Sequence, residues 1–137
     1  MKNLIILMLL LTLSSLAMAQ KKDRTDAFMY NKNGMYEKAM VSIEKCINHE
    51  QFGMMKPSDQ ARAWLYRADI YNNVSKMSNA AILYPDAKAK AWQSLQKIYE
   101  VDPQFANENK EQIQGLTKDI EIVLVPSLKP NSVKGIR

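Results

Sequence analysis

The stretch that decides the fold reads Gly34-Met35-Tyr36-Glu37-Lys38-Ala39. Glycine readily takes the left-handed conformation with which many helices end, so Gly34 predicts the end of one helix. After it, the apolar residues Ala39, Ile43 and Cys46 recur at the spacing of one helix face. The stretch therefore predicts two helices that are joined by a short turn and pack against each other.

Outward from this turn, residues 23–99 mostly favour helix, and glycine and proline stand at the junctions. The sequence predicts five helices: residues 23–33, 36–49 and 59–73, a fourth with Pro85 in its first turn that ends near residue 102, and a fifth at residues 103–122. Met29 and Tyr99 are among the residues predicted to face the core. The predicted fold class is all-α.

The first nineteen residues have the plan of a removable signal peptide. Lys2 gives a basic start, residues 4–13 are almost wholly apolar, and an A-x-A pattern ends at Ala19, so cleavage is expected before Gln20. A membrane anchor is the alternative, but a spanning helix needs about 20 apolar residues. We therefore expect an exported protein, periplasmic or extracellular, with no stable membrane span after the signal is removed.

Removal of residues 1–19 from the 137 leaves 118 residues, and the net charge falls from +5 to +4 because Lys2 is the only charge lost. That length suits one small domain. We assign the helices to residues 20–122 and a flexible tail to residues 123–137, where Pro126 and later breakers (Pro130 and Gly135) rule out a continuing helix. Acidic and basic residues are interspersed, which is not the clustered charge of a nucleic-acid binder.

The helices resemble tetratricopeptide repeats, which pair two helices in 34 residues through the pattern W-x2-L-G-x2-Y…A-x3-F…P. One copy keeps Ala27, Tyr30, Ala39 and Ile43. A fuller copy has Trp64, Arg67-Ala68 in place of Leu-Gly, Tyr71, Ala91, Leu95 and Pro103. An insertion of 11 residues separates the helices of this copy, because Tyr71 to Ala91 spans 20 residues and Tyr30 to Ala39 spans 9. An unrelated small helical bundle is the alternative.

The resemblance implies a short α-solenoid of antiparallel helical hairpins, about five helices long. In such repeats the first helix of each pair lines a concave groove that holds a peptide or a partner helix. The groove positions of this chain would be Arg24, Phe28, Asn31, Lys32, Arg62, Leu65, Asp69 and Asn72. Asparagine and arginine can hydrogen-bond a peptide, and an aromatic ring can anchor one. Each of these residues could instead be an ordinary surface residue.

The sequence offers no catalytic or cofactor site. His49 is the only histidine and Cys46 the only cysteine, too few for a usual zinc site. The serines lack a G-x-S-x-G context. Cys46 can form no internal disulfide and falls where a small buried residue is needed, although a disulfide between chains is the alternative.

These observations predict a non-catalytic protein- or peptide-binding scaffold of the cell envelope, without a cofactor and without nucleic acid as a partner. The alternative is a structural subunit that self-associates through its uncovered last helix and tail. Repeat units bury their faces on their neighbours, so an uncovered last helix would need another chain or the tail to cover it.

Overall fold

A computed structural model describes the backbone of residues 2–128, and the side chains of these residues except 12–17 and 122–128. Of the predicted tail at residues 123–137, residues 129–137 lie outside the described residues. The described chain is helical without strands, which confirms the all-α prediction. Its helices are α1 (Lys2–Lys32), α2 (Tyr36–Ile47), α3 (Pro57–Ser75), α4 (Ala80–Leu83), α5 (Ala87–Val101), α6 (Pro103–Glu108) and α7 (Lys110–Leu128), with a 3-10 turn at Phe52–Met54.

The turn between α1 and α2 is a backbone motif centred on Gly34, whose φ is 73°. The N–H of Met35 donates to the carbonyl of Tyr30 over 2.8 Å, and the N–H of Gly34 donates to that of Asn31 over 3.1 Å. This pair of bonds is the Schellman arrangement, which satisfies carbonyls that a helix end would leave open. The predicted turn is confirmed.

Helix α1 begins far earlier than predicted, at Lys2 rather than near Asp23. The expected signal segment and the first helix of the fold are therefore one helix of 31 residues. The cause is local, because residues 2–32 contain neither glycine nor proline and are rich in strong helix formers. Among the described residues, no helix combines the length and apolarity needed to cross a membrane.

The helices pack in sequence order. Helix α1 lies on α2, α3 lies on α5, α2 also contacts α3, and α6 and α7 contact both α3 and α5. Small residues such as Ala39 and Ala91, both 0% exposed, allow close approach of the helices. The core also contains Ile43, Leu95 and Ile120. Two predicted core residues are wrong: Met29 is 49% exposed and Tyr99 is 52% exposed.

The connection between α3 and α5 contains α4 and reaches the first helix pair. The hydroxyl of Tyr84 donates to Oε1 of Glu37 on α2 over 3.0 Å. Helix α5 begins at Ala87, so the prediction of Pro85 in its first turn is wrong. Ile82 on α4 is 84% exposed.

The predicted fifth helix is split into α6 and α7 at Asn109. Asp102 caps α6, since its Oδ1 accepts the N–H of Phe105 over 3.0 Å. The side chain of Asn109 donates to the carbonyl of Phe105 over 2.9 Å, a local bond that competes with a continuous helix. Helix α7 then continues past Pro126 to Leu128, so the predicted helix end is wrong.

Helix α7 is amphipathic as far as Glu121. It buries Ile113, Leu116 and Ile120 against the rest of the fold. Its exposed residues over the same stretch are Lys110, Glu111, Gln112, Gln114, Gly115, Lys118 and Glu121. The outer face of α7 is therefore polar up to that residue.

Candidate partner-binding face

One face of the fold carries polar side chains that join α1 to α3. Asn31 on α1 donates from Nδ2 to Oδ2 of Asp69 on α3, over 2.6 Å. The side-chain oxygen of Asn31 accepts a bond from Nδ2 of Asn73, over 3.0 Å. Asn31 thus joins α1 to α3 through both the nitrogen and the oxygen of its side-chain amide.

The same row of side chains continues from α3 to α7. Asn72 donates from Nδ2 to Oδ2 of Asp119 over 3.0 Å, and the ammonium group of Lys76 pairs with the same oxygen. These residues form two hydrogen-bonded groups of three, which we together call the polar seam: Asn31, Asp69 and Asn73, and Asn72, Lys76 and Asp119.

The two carboxyl groups of the polar seam differ in their electrostatics. Burial raises the pKa of the Asp69 carboxyl, and the hydrogen bond from Asn31 acts in the opposite direction. The hydrogen bonds from Lys76 and Asn72 lower the pKa of the Asp119 carboxyl. Asp69 is only half buried, so a further donor can reach it, whereas Asp119 already has a cation, Lys76. A further hydrogen-bond donor would therefore stabilise the ionised carboxylate of Asp69 more than that of Asp119.

Next to the polar seam, α1 and α3 are joined by an ion pair and a ring contact. Arg24 is 9% exposed and donates from Nη1 to Oδ1 of Asp59 over 2.8 Å and to its carbonyl oxygen over 3.1 Å. The Phe28 ring packs on Tyr66 with the centroids 5.0 Å apart. Arg24, Phe28 and Asn31 follow one another at the spacing of a single face of α1.

Two exposed cations flank these contacts. Lys32 on α1 lies with its Nζ 5.3 Å from the centroid of the Phe28 ring. Arg62 on α3 lies with its guanidinium carbon 5.8 Å from the centroid of the Phe105 ring on α6. Both side chains are exposed, and an aromatic ring beside each limits their freedom.

The predicted groove residues thus occupy three kinds of position. Those in interhelix contacts are Arg24, Phe28, Asn31, Asp69 and Asn72. Lys32 and Arg62 are the exposed ones. Leu65 is 3% exposed and belongs to the core. Most of these residues therefore hold α1, α3 and α7 in place, and Lys32 and Arg62 are the exposed cations among them.

A buried polar network on the other side of α3 was not predicted. Arg67 is 7% exposed, and its Nε donates to Oε1 of Glu44 on α2 over 2.7 Å. Its Nη1 donates to Oγ of Ser94 over 2.9 Å and to the carbonyl oxygen of Lys90 over 3.2 Å, both on α5. The hydroxyl of Tyr71 donates to the same Glu44 oxygen over 2.9 Å. The sequence signal was an arginine where the repeat pattern has leucine.

His49 and Cys46 lie outside the polar seam. Nδ1 of His49 lies 2.7 Å from Nε2 of Gln20. Burial raises the pKa of the Cys46 thiol to about 11, so the thiol is protonated at neutral pH and unreactive. Within the described part of the chain, histidine, cysteine and carboxylate residues form no cluster of three that could hold a metal.

An open cleft of about 570 Å³ lies between the middle of α1 and the segment before α3. It is lined by Met18, Gln20, Lys21, Arg24, Met55, Lys56 and Asp59. Arg24 and Asp59 pair with each other. The other charged residues of the cleft are Lys21 and Lys56, and both are exposed.

No protein-family model, curated protein or solved structure matches this chain.

Proposed function

We propose that this chain is a non-catalytic scaffold of the cell envelope that binds a protein or peptide, built on tetratricopeptide-like helix pairs and exported by a signal peptide cleaved after Ala19. The observation that carries the proposal is the polar seam with its exposed flanking cations, Lys32 and Arg62. A partner would lie across α1, α3 and α7 along that face.

The packing order of the helices supports the repeat interpretation. Each pair, α1 with α2 and α3 with α5, contacts the helix that follows it. In that interpretation, α6 and α7 would correspond to the first helix of a third unit. An array of helix pairs of this kind is the architecture that presents extended binding surfaces.

The rigidity of the polar seam supports binding of an extended segment. Its side chains are fixed by hydrogen bonds across three helices, so little conformational entropy remains to be lost when a partner binds. Carboxylates and side-chain amides complement the N–H and C=O groups of a peptide backbone. Exposed cations at the rim add long-range attraction for an acidic partner and fix its orientation.

The exposure of the first helical turns supports removal of the signal segment. Leu4, Ile5, Leu7 and Leu10 are each more than half exposed. An apolar helix that projects from a folded domain is an aggregation hazard. A chain that retains this segment only during export avoids that hazard.

The test is a binding measurement on the exported chain. A displayed library of random peptides is selected against the purified protein, and the affinities of the selected peptides are measured by calorimetry. Lys32→Glu with Arg62→Glu is expected to weaken binding about tenfold or more, a loss of ~1.4 kcal/mol. Lys45→Glu with Lys97→Glu, an equal charge change on α2 and α5, is the control and is expected to leave binding unchanged.

Two outcomes would contradict the proposal. In one, no peptide is selected above background by a folded, correctly processed chain. In the other, the two double variants weaken binding equally, which would show a non-specific charge effect and not a site on this face.

A further inference from the structure

Gln20 becomes the first residue of the chain when the signal peptide is cleaved, and it is 2% exposed in the full-length structure. Its Nε2 lies 2.7 Å from Nδ1 of His49, in the turn after α2. The backbone N–H of Gln51 donates to the same nitrogen over 3.2 Å. Since a backbone N–H can only donate, Nδ1 of His49 is an acceptor, and the side-chain amide of Gln20 is the second donor to it.

A glutamine at a chain terminus can react with itself. The neutral α-amine attacks Cδ of its own side chain, and a C–N bond closes a five-membered lactam. The bond between Cδ and Nε2 breaks, the amine proton passes to the departing nitrogen, and ammonia leaves. The reaction needs no oxidant and no cofactor. Its product, pyroglutamate, has lost the positive charge and the NH2 group of the original residue.

The docked position of Gln20 opposes this ring closure. Ring closure needs Cδ to fold back onto the backbone nitrogen of the same residue. In the fold, the Nε2 atom that would leave is instead a hydrogen-bond donor to His49, 29 residues further along the chain.

We propose that Gln20 is a latent modification site. As the N-terminal residue it cyclises to pyroglutamate while α1 is undocked from α2. The folded chain protects it from this reaction. The proposal rests on the export and cleavage proposed above. The contact with His49 involves none of the residues removed with the signal peptide, so the mature chain retains both partners.

The experiment follows cyclisation by intact mass. The chain is secreted with its own leader and purified, and the starting mass identifies its first residue. One sample is kept in buffer and the other in guanidinium chloride, and the loss of one ammonia is followed over time. We expect cyclisation at least about tenfold slower in buffer, which corresponds to an opening free energy of ~1.4 kcal/mol or more.

Two variants sharpen the result. Gln20→Ala cannot cyclise, so it measures any ammonia lost elsewhere, for example at Asn33-Gly34, where a succinimide can form. His49→Ala removes the acceptor and is expected to cyclise faster than the parent chain in buffer, with circular dichroism as the check that it is folded.

Three outcomes would overturn the inference. Equal rates in buffer and in guanidinium would show that the fold gives no protection, and would leave the binding function untouched. A folded His49→Ala chain that cyclises no faster than the parent would remove the role of His49. A starting mass that retains residues 1–19 would contradict both this inference and the proposed export.

Discussion

The two helix pairs of this protein are held together by different means. Residues 33–35 join α1 to α2, and the positive φ of Gly34 with its two backbone hydrogen bonds fixes the direction of the turn. Residues 76–86 join α3 to α5 and include α4. A connection of that length does not set the direction of the next helix, so the buried bonds of Arg67 to α5 do so.

The two connections differ in how far apart in the sequence the residues that determine them lie. A glycine turn acts within a few residues, so it can be recognised in the sequence. The Arg67 network joins residues that are 23 and 27 positions apart, and nothing in the sequence pairs them in advance. We therefore expect the stability of the second pair, α3 with α5, to depend on the side chain of Arg67. That of the first pair, α1 with α2, should depend on the backbone conformation of Gly34.

The largest effect is expected from Arg67→Met, which keeps most of the volume and removes the charge and the donors. It leaves Glu44 without its cation and Ser94 without its buried donor. Because the Glu44 side chain is 30% exposed, we expect a loss of about 3 kcal/mol in the free energy of unfolding, the lower end for a broken buried ion pair. Urea unfolding followed by circular dichroism measures it.

The control is Arg62→Met, on the same helix but exposed. Its loss should stay below about 1 kcal/mol, the range of an exposed charge. If the two variants lose the same free energy of unfolding, the Arg67 network does not hold the second helix pair together.

A smaller effect is expected from Gly34→Ala. No atom lies within 4 Å of an added Cβ, so only the backbone conformation opposes alanine, at about 1–2 kcal/mol. The first helix pair should then open more often. Cys46 lies buried in it, and its labelling by a thiol reagent should become faster at neutral pH, where the closed form is unreactive.

Gly53→Ala is the matched control, since Gly53 also has no atom within 4 Å of an added Cβ but lacks a positive φ. It should change stability by no more than about 0.5 kcal/mol. Equal Cys46 labelling in the two variants would show that the Gly34 turn does not hold the first pair closed.

The smallest effect is expected from Tyr84→Phe, which removes the hydroxyl that joins the long connection to Glu37. Both partners are near the surface, so water replaces the lost bond and the urea midpoint should shift less than in Gly34→Ala. Tyr99→Phe, at an exposed tyrosine of α5, is the control. A shift as large as that of Arg67→Met would mean that the connection, and not the buried network, fixes the second pair.

The sequence predicted what periodicity and turn chemistry control. The all-helical fold, the Gly34 turn and buried positions such as Ile43 and Ile120 follow from residue spacing. The helix limits were predicted less well. The split at Asn109 depends on a side-chain bond to Phe105, and the exposure of Tyr99 depends on which side of α5 the neighbouring helices leave open.

The candidate binding face was predicted by resemblance, and the bonds within it were not. The resemblance placed Asn31 and Asp69 on the groove-lining face of their helices, but their mutual bond depends on the register between α1 and α3. That register comes from packing of side chains along the whole interface. Leu65, which the resemblance placed in the groove, is 3% exposed and belongs to the core.

The position of Arg67 also bears on how the domain unfolds. From α3 it bonds α2 on one side and α5 on the other, so neither helix pair can separate from the rest without breaking a buried charged bond. Stacked repeats otherwise open unit by unit from their ends. Here the two helix pairs, α1 with α2 and α3 with α5, should instead open as a single cooperative unit. The slowest amide hydrogens of both pairs should then exchange with the same opening free energy.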